Sequence, residues 1–155
     1  MSSETPGGNP KGFDILLVED SAADVRLVKE FLIQNRPDYR LHNVNTGEEA
    51  MAFLYQQGDY QSVPRPDLIL MDLNMPSMDG REVLRVIKND RNLRCVPVLV
   101  FSSSKAAPDI SKIYDLNANC YIVKPSTLDD FMRVMRAVEE FWLKTAALAT
   151  QYEER

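Results

Sequence analysis

The stretch "DLILMDLNMPSMDG", residues 67–80, decides the fold. Asp67 opens it, and Leu68, Ile69, Leu70 and Met71 follow with no polar residue among them. An unbroken apolar run of this length reads as a β-strand covered on both faces, the kind found in parallel sheets layered between helices. The run stops at Asp72, and the turn-like Asn74-Met75-Pro76 follows. An apolar strand thus delivers one carboxylate to a loop edge, where it either caps something or reacts with something.

Outward from that strand the same rhythm repeats. "FDILLVED" (13–20) is an apolar run ending in acid. "SAADVRLVKEFLIQN" (21–35) places Val25, Leu27, Val28, Phe31 and Leu32 at helical spacing, with Ser21 and Asp24 at its capped start. "YRLHNV" (39–44) alternates, as a strand with one wetter face does. "TGEEAMAFLYQQG" (46–58) opens on a capping box, Thr46 with Glu49, and stops at Gly58, before a loop over 59–66 with two prolines. Asp79 caps a helix over 80–90 with Glu82 at the capping-box position, and "VPVLVF" (96–101) is a second fully apolar strand. A shorter helix lies around 108–117, "CYIVK" (120–124) is a strand, and a long helix over 127–144 is capped by Ser126 or Thr127. Strand and helix alternate five times, which predicts an α/β fold with a doubly wound, five-stranded parallel sheet of order 2-1-3-4-5 in a flavodoxin-like three-layer sandwich. Residues 1–12 read as a disordered leader, 13–144 as the domain, and 145–155 as a frayed or loosely helical tail with no output domain.

Composition narrows the class. A chain of 155 residues holds one well-buried domain and is short for two. Hydrophobic content of 45% and charged content of 26% are those of an ordinary globular protein. The net charge of −5 argues against nucleic acid as a partner. No apolar run reaches the roughly 20 residues of a membrane span, and the first residues hold no signal core. Cys95 and Cys120 form neither a C-x-x-C pair nor a metal spacing with His42. They read as inert apolar residues of a protein in a reducing compartment, the cytoplasm. His42 reads as a half-exposed strand residue, and the seven methionines as core filler.

In open α/β sheets the sites form at the carboxyl ends of the strands, near the point where strand order reverses. Strand 1 ends in Glu19 and Asp20, strand 3 in Asp72, strand 4 in Ser102 and strand 5 in Lys124. The predicted topology brings all of them to one rim. Three carboxylates about 4 Å apart repel by roughly 4 kcal/mol per pair at an effective dielectric near 20. One lysine is too little for three negatives, so a divalent cation with oxygen ligands such as Mg²⁺ fits the deficit. An aspartate beside such a metal can attack phosphorus and form an aspartyl phosphate, with Lys124 neutralising the transferring oxygens and Ser102 donating to the new group. Each piece alone has a plainer reading as a cap, a turn or a strand end; their convergence on one rim favours a site.

At these residues the sequence resembles the receiver domain of two-component response regulators. "LLVEDS", "DLILMDLNMPSMDG", "PVLVFSSS" and "YIVKP" fall in the family's order and spacing from about Phe13 to Leu143. The resemblance implies that Asp72 accepts a phosphoryl group from a histidine kinase. It implies a Mg²⁺ held by Glu19, Asp20, Asp72 and the Asn74 carbonyl, with Asp20 the more direct ligand. Ser102 becomes the switch hydroxyl, Tyr121 the switch aromatic and Lys124 the phosphate-binding lysine, before a cis Lys124–Pro125 bond. Ser103, Ser126 and the long 58–66 loop depart from the commonest pattern. With "NCYIVKPSTL" and "EEFWL" they resemble the regulators that partner phytochrome-type kinases.

Two other classes compete with a phosphorelay module that assists its own phosphorylation and dephosphorylation. A haloacid-dehalogenase-type phosphatase usually carries a second carboxylate two residues after the nucleophile, where this chain has Asn74. A pseudo-receiver is expected to lack an acid, the acceptor or the lysine, and all are present. The last helix carries two apolar lines, one through Leu128, Met132, Met135 and Trp142, the other through Phe131, Val134, Val138 and Phe141. A single sheet requires one such stripe. The surplus predicts a homodimer through Phe131, Val134, Val138 and Phe141, or else a tail folded back over them.

Overall fold

Five parallel strands form one sheet in the computed structural model, which describes residues 12–35, 38–75 and 78–152. They are β1 (Phe13–Val18), β2 (Tyr39–Val44), β3 (Leu68–Met71), β4 (Val98–Ser102) and β5 (Cys120–Val123), in the spatial order β2-β1-β3-β4-β5. The helices are α1 (Ala22–Asn35), α2 (Gly47–Leu54), α3 (Gly80–Asn89), α4 (Ala107–Asp115) and α5 (Leu128–Val138). The expected order and topology are those observed.

Alternation along the strands builds two cores. Leu16, Val18, Ile69, Met71 and Val100 point to one face and pack with Phe53 of α2, Leu84 of α3 and Ile113 of α4. Ile15, Leu17, Leu70 and Phe101 point to the other and pack with Val28 of α1 and Phe131 and Met135 of α5. Caps form where local chemistry predicts them. The Thr46, Asp79 and Thr127 side chains accept from the backbone N–H of Glu49, Arg81 and Asp130. Among the described residues no helix is long and apolar enough to cross a membrane.

Three expectations change. The sequence predicts a leader through residue 12, yet Gly12 is buried at φ +76°, and a Cβ there would meet the Asp38 carbonyl oxygen; residues 1–11 lie outside the described residues. Next, α5 ends at Val138 and continues as one π-helical turn, Glu139–Leu143, with Lys144 N–H donating to the Glu139 carbonyl at 3.0 Å.

Last, the tail is not frayed over its described part. Leu148 is buried at 2% exposure, and Ala149–Gln151 makes a 3₁₀ turn. Its anchor is the buried Asp67, whose carboxylate accepts from the Asp14 N–H at 2.8 Å and from the Thr150 hydroxyl. The Gln151 Nε2 donates to the Gly12 carbonyl at 3.4 Å. The surplus stripe of α5 is thereby covered in part within the protomer. Phe131 and Val138 are 3% and 5% exposed, in the same cluster as Leu143, Ala146 and Leu148. Of the four residues expected at a dimer interface, Val134 is half-buried and Phe141, at 55%, is exposed.

Candidate functional site

The site begins where the ladders run out. Val18 lies opposite both Val44 and Met71, so Glu19 and Asp72 leave neighbouring strands at one level. The Asp72 N–H donates to the Val18 carbonyl at 2.9 Å, and the Lys124 N–H to the Ser102 carbonyl at 2.8 Å. Those bonds carry the sheet one residue further and set the side chains at its rim. Gly80 lets α3 approach this turn, since a Cβ there would sit 2.8 Å from the Asp72 carbonyl oxygen.

Glu19, Asp20 and Asp72 each offer a carboxylate oxygen, and the three lie within 4.8 Å of one another. Glu19 and Asp72 are buried and Asp20 is exposed. Such a group of hard oxygen donors, open to solvent on one side, suits a small divalent cation that keeps part of its water. The Asn74 N–H donates to Asp72 Oδ1 at 3.2 Å, which fixes the turn that carries the expected carbonyl ligand; Pro76 and Ser77 lie outside the described residues.

Lys124 is the counter-charge. Its Nζ donates to Glu19 Oε1 at 2.5 Å, to Asp24 Oδ2 at 2.9 Å and to Asp72 Oδ2 at 3.3 Å. Burial pulls the ammonium down. The hydrogen bonds to Glu19 and Asp24 and the charges of Glu19 and Asp72 outweigh it and hold Lys124 above the usual lysine range. Burial pushes Glu19 up to about 7, and the Asp72 charge adds to it against the hydrogen bond from Lys124. Beneath the carboxylates Glu19, Asp24 and Asp72 lies an apolar cavity lined by Leu17, Val28, Leu70 and Phe101.

Ser102 is 1% exposed at the end of β4, and its Oγ accepts from the Ser104 N–H at 3.4 Å. Tyr121 is half-buried and donates from its hydroxyl to the Ser104 carbonyl at 2.9 Å. Both expected switch residues therefore fasten the same loop residue from opposite sides. The Lys124–Pro125 bond is trans, the lower-energy isomer by about 0.5–1 kcal/mol, against the cis bond expected.

The strand-end rule found every acid and base of this cluster except Asp24, which read as part of a helix cap. Its signal was its place in the first turn of the helix that leaves the site. His42 is half-buried, and its Nε2 lies 3.0 Å from Asp14 Oδ1, away from the rim. Cys95 is exposed rather than packed as expected, and accepts from Arg65 Nη2 at 3.3 Å.

A parallel 2-1-3-4-5 sheet with an acidic triad, a lysine and a hydroxyl at its carboxyl rim defines a receiver. The family profile described as "Response regulator receiver domain" matches residues 15–136, and the chain belongs to that family. It is 48% identical over 134 residues to the response regulator Rcp1 of Synechocystis sp., covering 86% of this chain and 91% of that protein. The phosphorylated cyanobacterial phytochrome response regulator RcpA superposes with a TM-score of 0.86 at 47% identity, over 89% of this chain and 99% of that one. The Mn²⁺-bound form of Rcp1 gives 0.84 at 47% identity, over 88% and 98%. The chain is thus a receiver-domain regulator of two-component signalling, homologous to a cyanobacterial phytochrome response regulator.

Proposed function

We propose that Asp72 takes a phosphoryl group from the phosphohistidine of a histidine kinase, with Mg²⁺ at Glu19, Asp20, Asp72 and the Asn74 carbonyl. The observation that carries this reading is the ammonium of Lys124 set among carboxylates at the rim, 3.3 Å from Asp72. An Asp72 oxygen attacks phosphorus, the P–N bond breaks, and the electron pair leaves with the imidazole. The cation, when bound, supplies positive charge to the transferring oxygens. Lys124 does the same from the protein side and orients them. Dephosphorylation by water uses the same charges. Similar structures named for phytochrome and bacteriophytochrome response regulators support a bacteriophytochrome-type kinase as donor. An open groove of about 680 Å³ runs from Asp20 along α1 to Ile33 and offers that partner a path to the rim.

Readout runs through the loop after β4. Ser102 turns its hydroxyl to the new phosphoryl group and gives up the Ser104 N–H, and Tyr121, bonded to the Ser104 carbonyl, follows. A homodimer also belongs to the proposal, with its interface moved to the exposed Leu128 and Phe141 and the half-buried Val134. Two cysteines with neither C-x-x-C nor metal-ligand spacing suit the cytoplasm.

Mass spectrometry after incubation with a small phosphodonor and Mg²⁺ tests the acceptor. One phosphoryl group on Asp72, absent from Asp72→Asn, is expected. Labelling of Asp72→Asn at the wild-type rate refutes the assignment. Sedimentation tests the dimer: a wild-type monomer at tens of micromolar, with and without a phosphoryl mimic, refutes it.

A further inference from the structure

Lys124 has three N–H donors, and Glu19, Asp24 and Asp72 occupy all of them. Chemistry at Asp72 accounts for two of those partners and leaves Asp24 without a role. Its helix-starting bond runs from its backbone N–H to Ser21 Oγ at 3.3 Å, which any residue but proline makes there. That bond leaves the carboxylate out, and the carboxylate goes to Lys124 instead. We propose that Asp24 is a positioning residue that holds Lys124 back in the unmodified protein and is displaced when Asp72 carries a phosphoryl group. The inference rests on Asp72 being the phosphoacceptor.

A phosphoryl group adds three acceptor oxygens and nearly two negative charges. For Lys124 to donate to one of those oxygens, an existing acceptor has to let go. Glu19 is a poor candidate: its side chain is 4% exposed, and it also accepts the Ser21 N–H at 3.2 Å. Asp72 is the point of attachment. Asp24, at 26% exposure on the first turn of α1, returns to water most easily. Its charge also repels the incoming group. Competition and repulsion have the same sign, so Asp24 favours the unmodified state. Its release breaks a tie between α1 and the end of β5, and modification therefore loosens the first turn of α1.

Calorimetric titration of the full chain with beryllofluoride, a tetrahedral phosphoryl mimic, at saturating Mg²⁺ tests this. Asp24→Asn keeps the size and removes the charge. It is expected to bind about five- to tenfold tighter than wild type, tenfold corresponding to about 1.4 kcal/mol, and Asp24→Glu is expected to return to wild-type affinity. Thermal midpoints are read in parallel. A role confined to the helix start lowers the midpoint of Asp24→Asn and leaves its affinity equal or weaker, and that result overturns the inference. Wild type that binds while Asp72→Asn does not, together with an unchanged Asp24→Asn, overturns this inference alone. Wild type that does not bind overturns the phosphoacceptor reading and this one with it.

Discussion

Asp20→Asn is expected to stabilise the metal-free protein and to destabilise the protein at saturating Mg²⁺. The oxygens of Glu19, Asp20 and Asp72 lie within 4.8 Å of one another. At that separation a pair of full charges repels by about 0.9 kcal/mol in water and about 3.5 kcal/mol at an effective dielectric of 20. Asp20 is exposed, so each of its pairs sits in the lower part of that range, about 1–2 kcal/mol. Glu19 titrates at about 7 and carries roughly half a charge at neutral pH. The two repulsions then sum to about 1.5–3 kcal/mol, and the lost attraction to Lys124 takes back about 1. The net gain of about 0.5–2 kcal/mol raises the melting midpoint of a chain this size by about 1–8 °C. The pH dependence has a definite sign. Glu19 is raised in the folded state, so below about 7 it holds a proton there and repels Asp20 less. The gain is therefore smaller at pH 6 than at pH 8. Mg²⁺ at a hundred times its dissociation constant adds about 2.7 kcal/mol to wild type, most of which the variant lacks. Urea denaturation in chelator and in Mg²⁺ reads both arms. A variant less stable than wild type in chelator, or an order that fails to reverse with Mg²⁺, refutes the charge argument.

Three further outcomes follow from named contacts. Gly80→Ala forces a Cβ against the Asp72 carbonyl and the Leu73 Cα, both at 2.8 Å, and is expected to cost about 1–3 kcal/mol and weaken Mg²⁺ binding; urea midpoints and a metal titration check both. Leu148→Ala is expected to cost about 2–4 kcal/mol and Thr150→Val about 1–3, because one empties a packed position and the other strips a donor from buried Asp67; unchanged denaturation curves would show the tail off the sheet in solution. Burial raises the Asp14 carboxyl, but hydrogen bonds from Arg40 and His42 and their charges outweigh it and hold it below the usual range. That stability is complete above the ordinary aspartate value and is lost as pH falls through the lowered one, so Arg40→Met is expected to unfold at higher pH in an acid titration followed by circular dichroism.

The parts of this fold legible in sequence are those whose cause is local. β3 and β4 announced themselves because burial on both faces leaves an unbroken apolar run. Thr46, Asp79 and Thr127 marked helix starts because a capping side chain acts within three residues. The rim was legible one step further on, since a strand-end rule turns element order into proximity. What stayed hidden depends on distant partners. Asp24 meets Lys124 across 100 residues and Thr150 meets Asp67 across 83, and neither leaves a local mark. The end of α5 was overrun because "EEFWL" keeps helical spacing with no glycine or proline to stop it; the π turn instead places Glu139 inside, with its Oε1 3.7 Å from Lys144 Nζ. The apolar pattern gave the width of the α5 face, and it does not say which segment covers it.

The bond between Gln151 and the Gly12 carbonyl has a consequence for chain connectivity. The two ends of the folded unit lie side by side at the edge of the sheet opposite the rim. A short glycine-rich linker can join them there, and new ends can be opened in the prolyl loop 59–66. The permuted order begins with β3 and ends with α2, yet it leaves every strand neighbour and the acidic rim where they are. In the natural order the end of the sheet at Asp67 waits for Thr150, 83 residues later in the chain. In the permuted order those two residues keep the same separation of 83 residues, and the seal still follows β3. A receiver built that way separates the geometry of the switch from the order in which its strands are made.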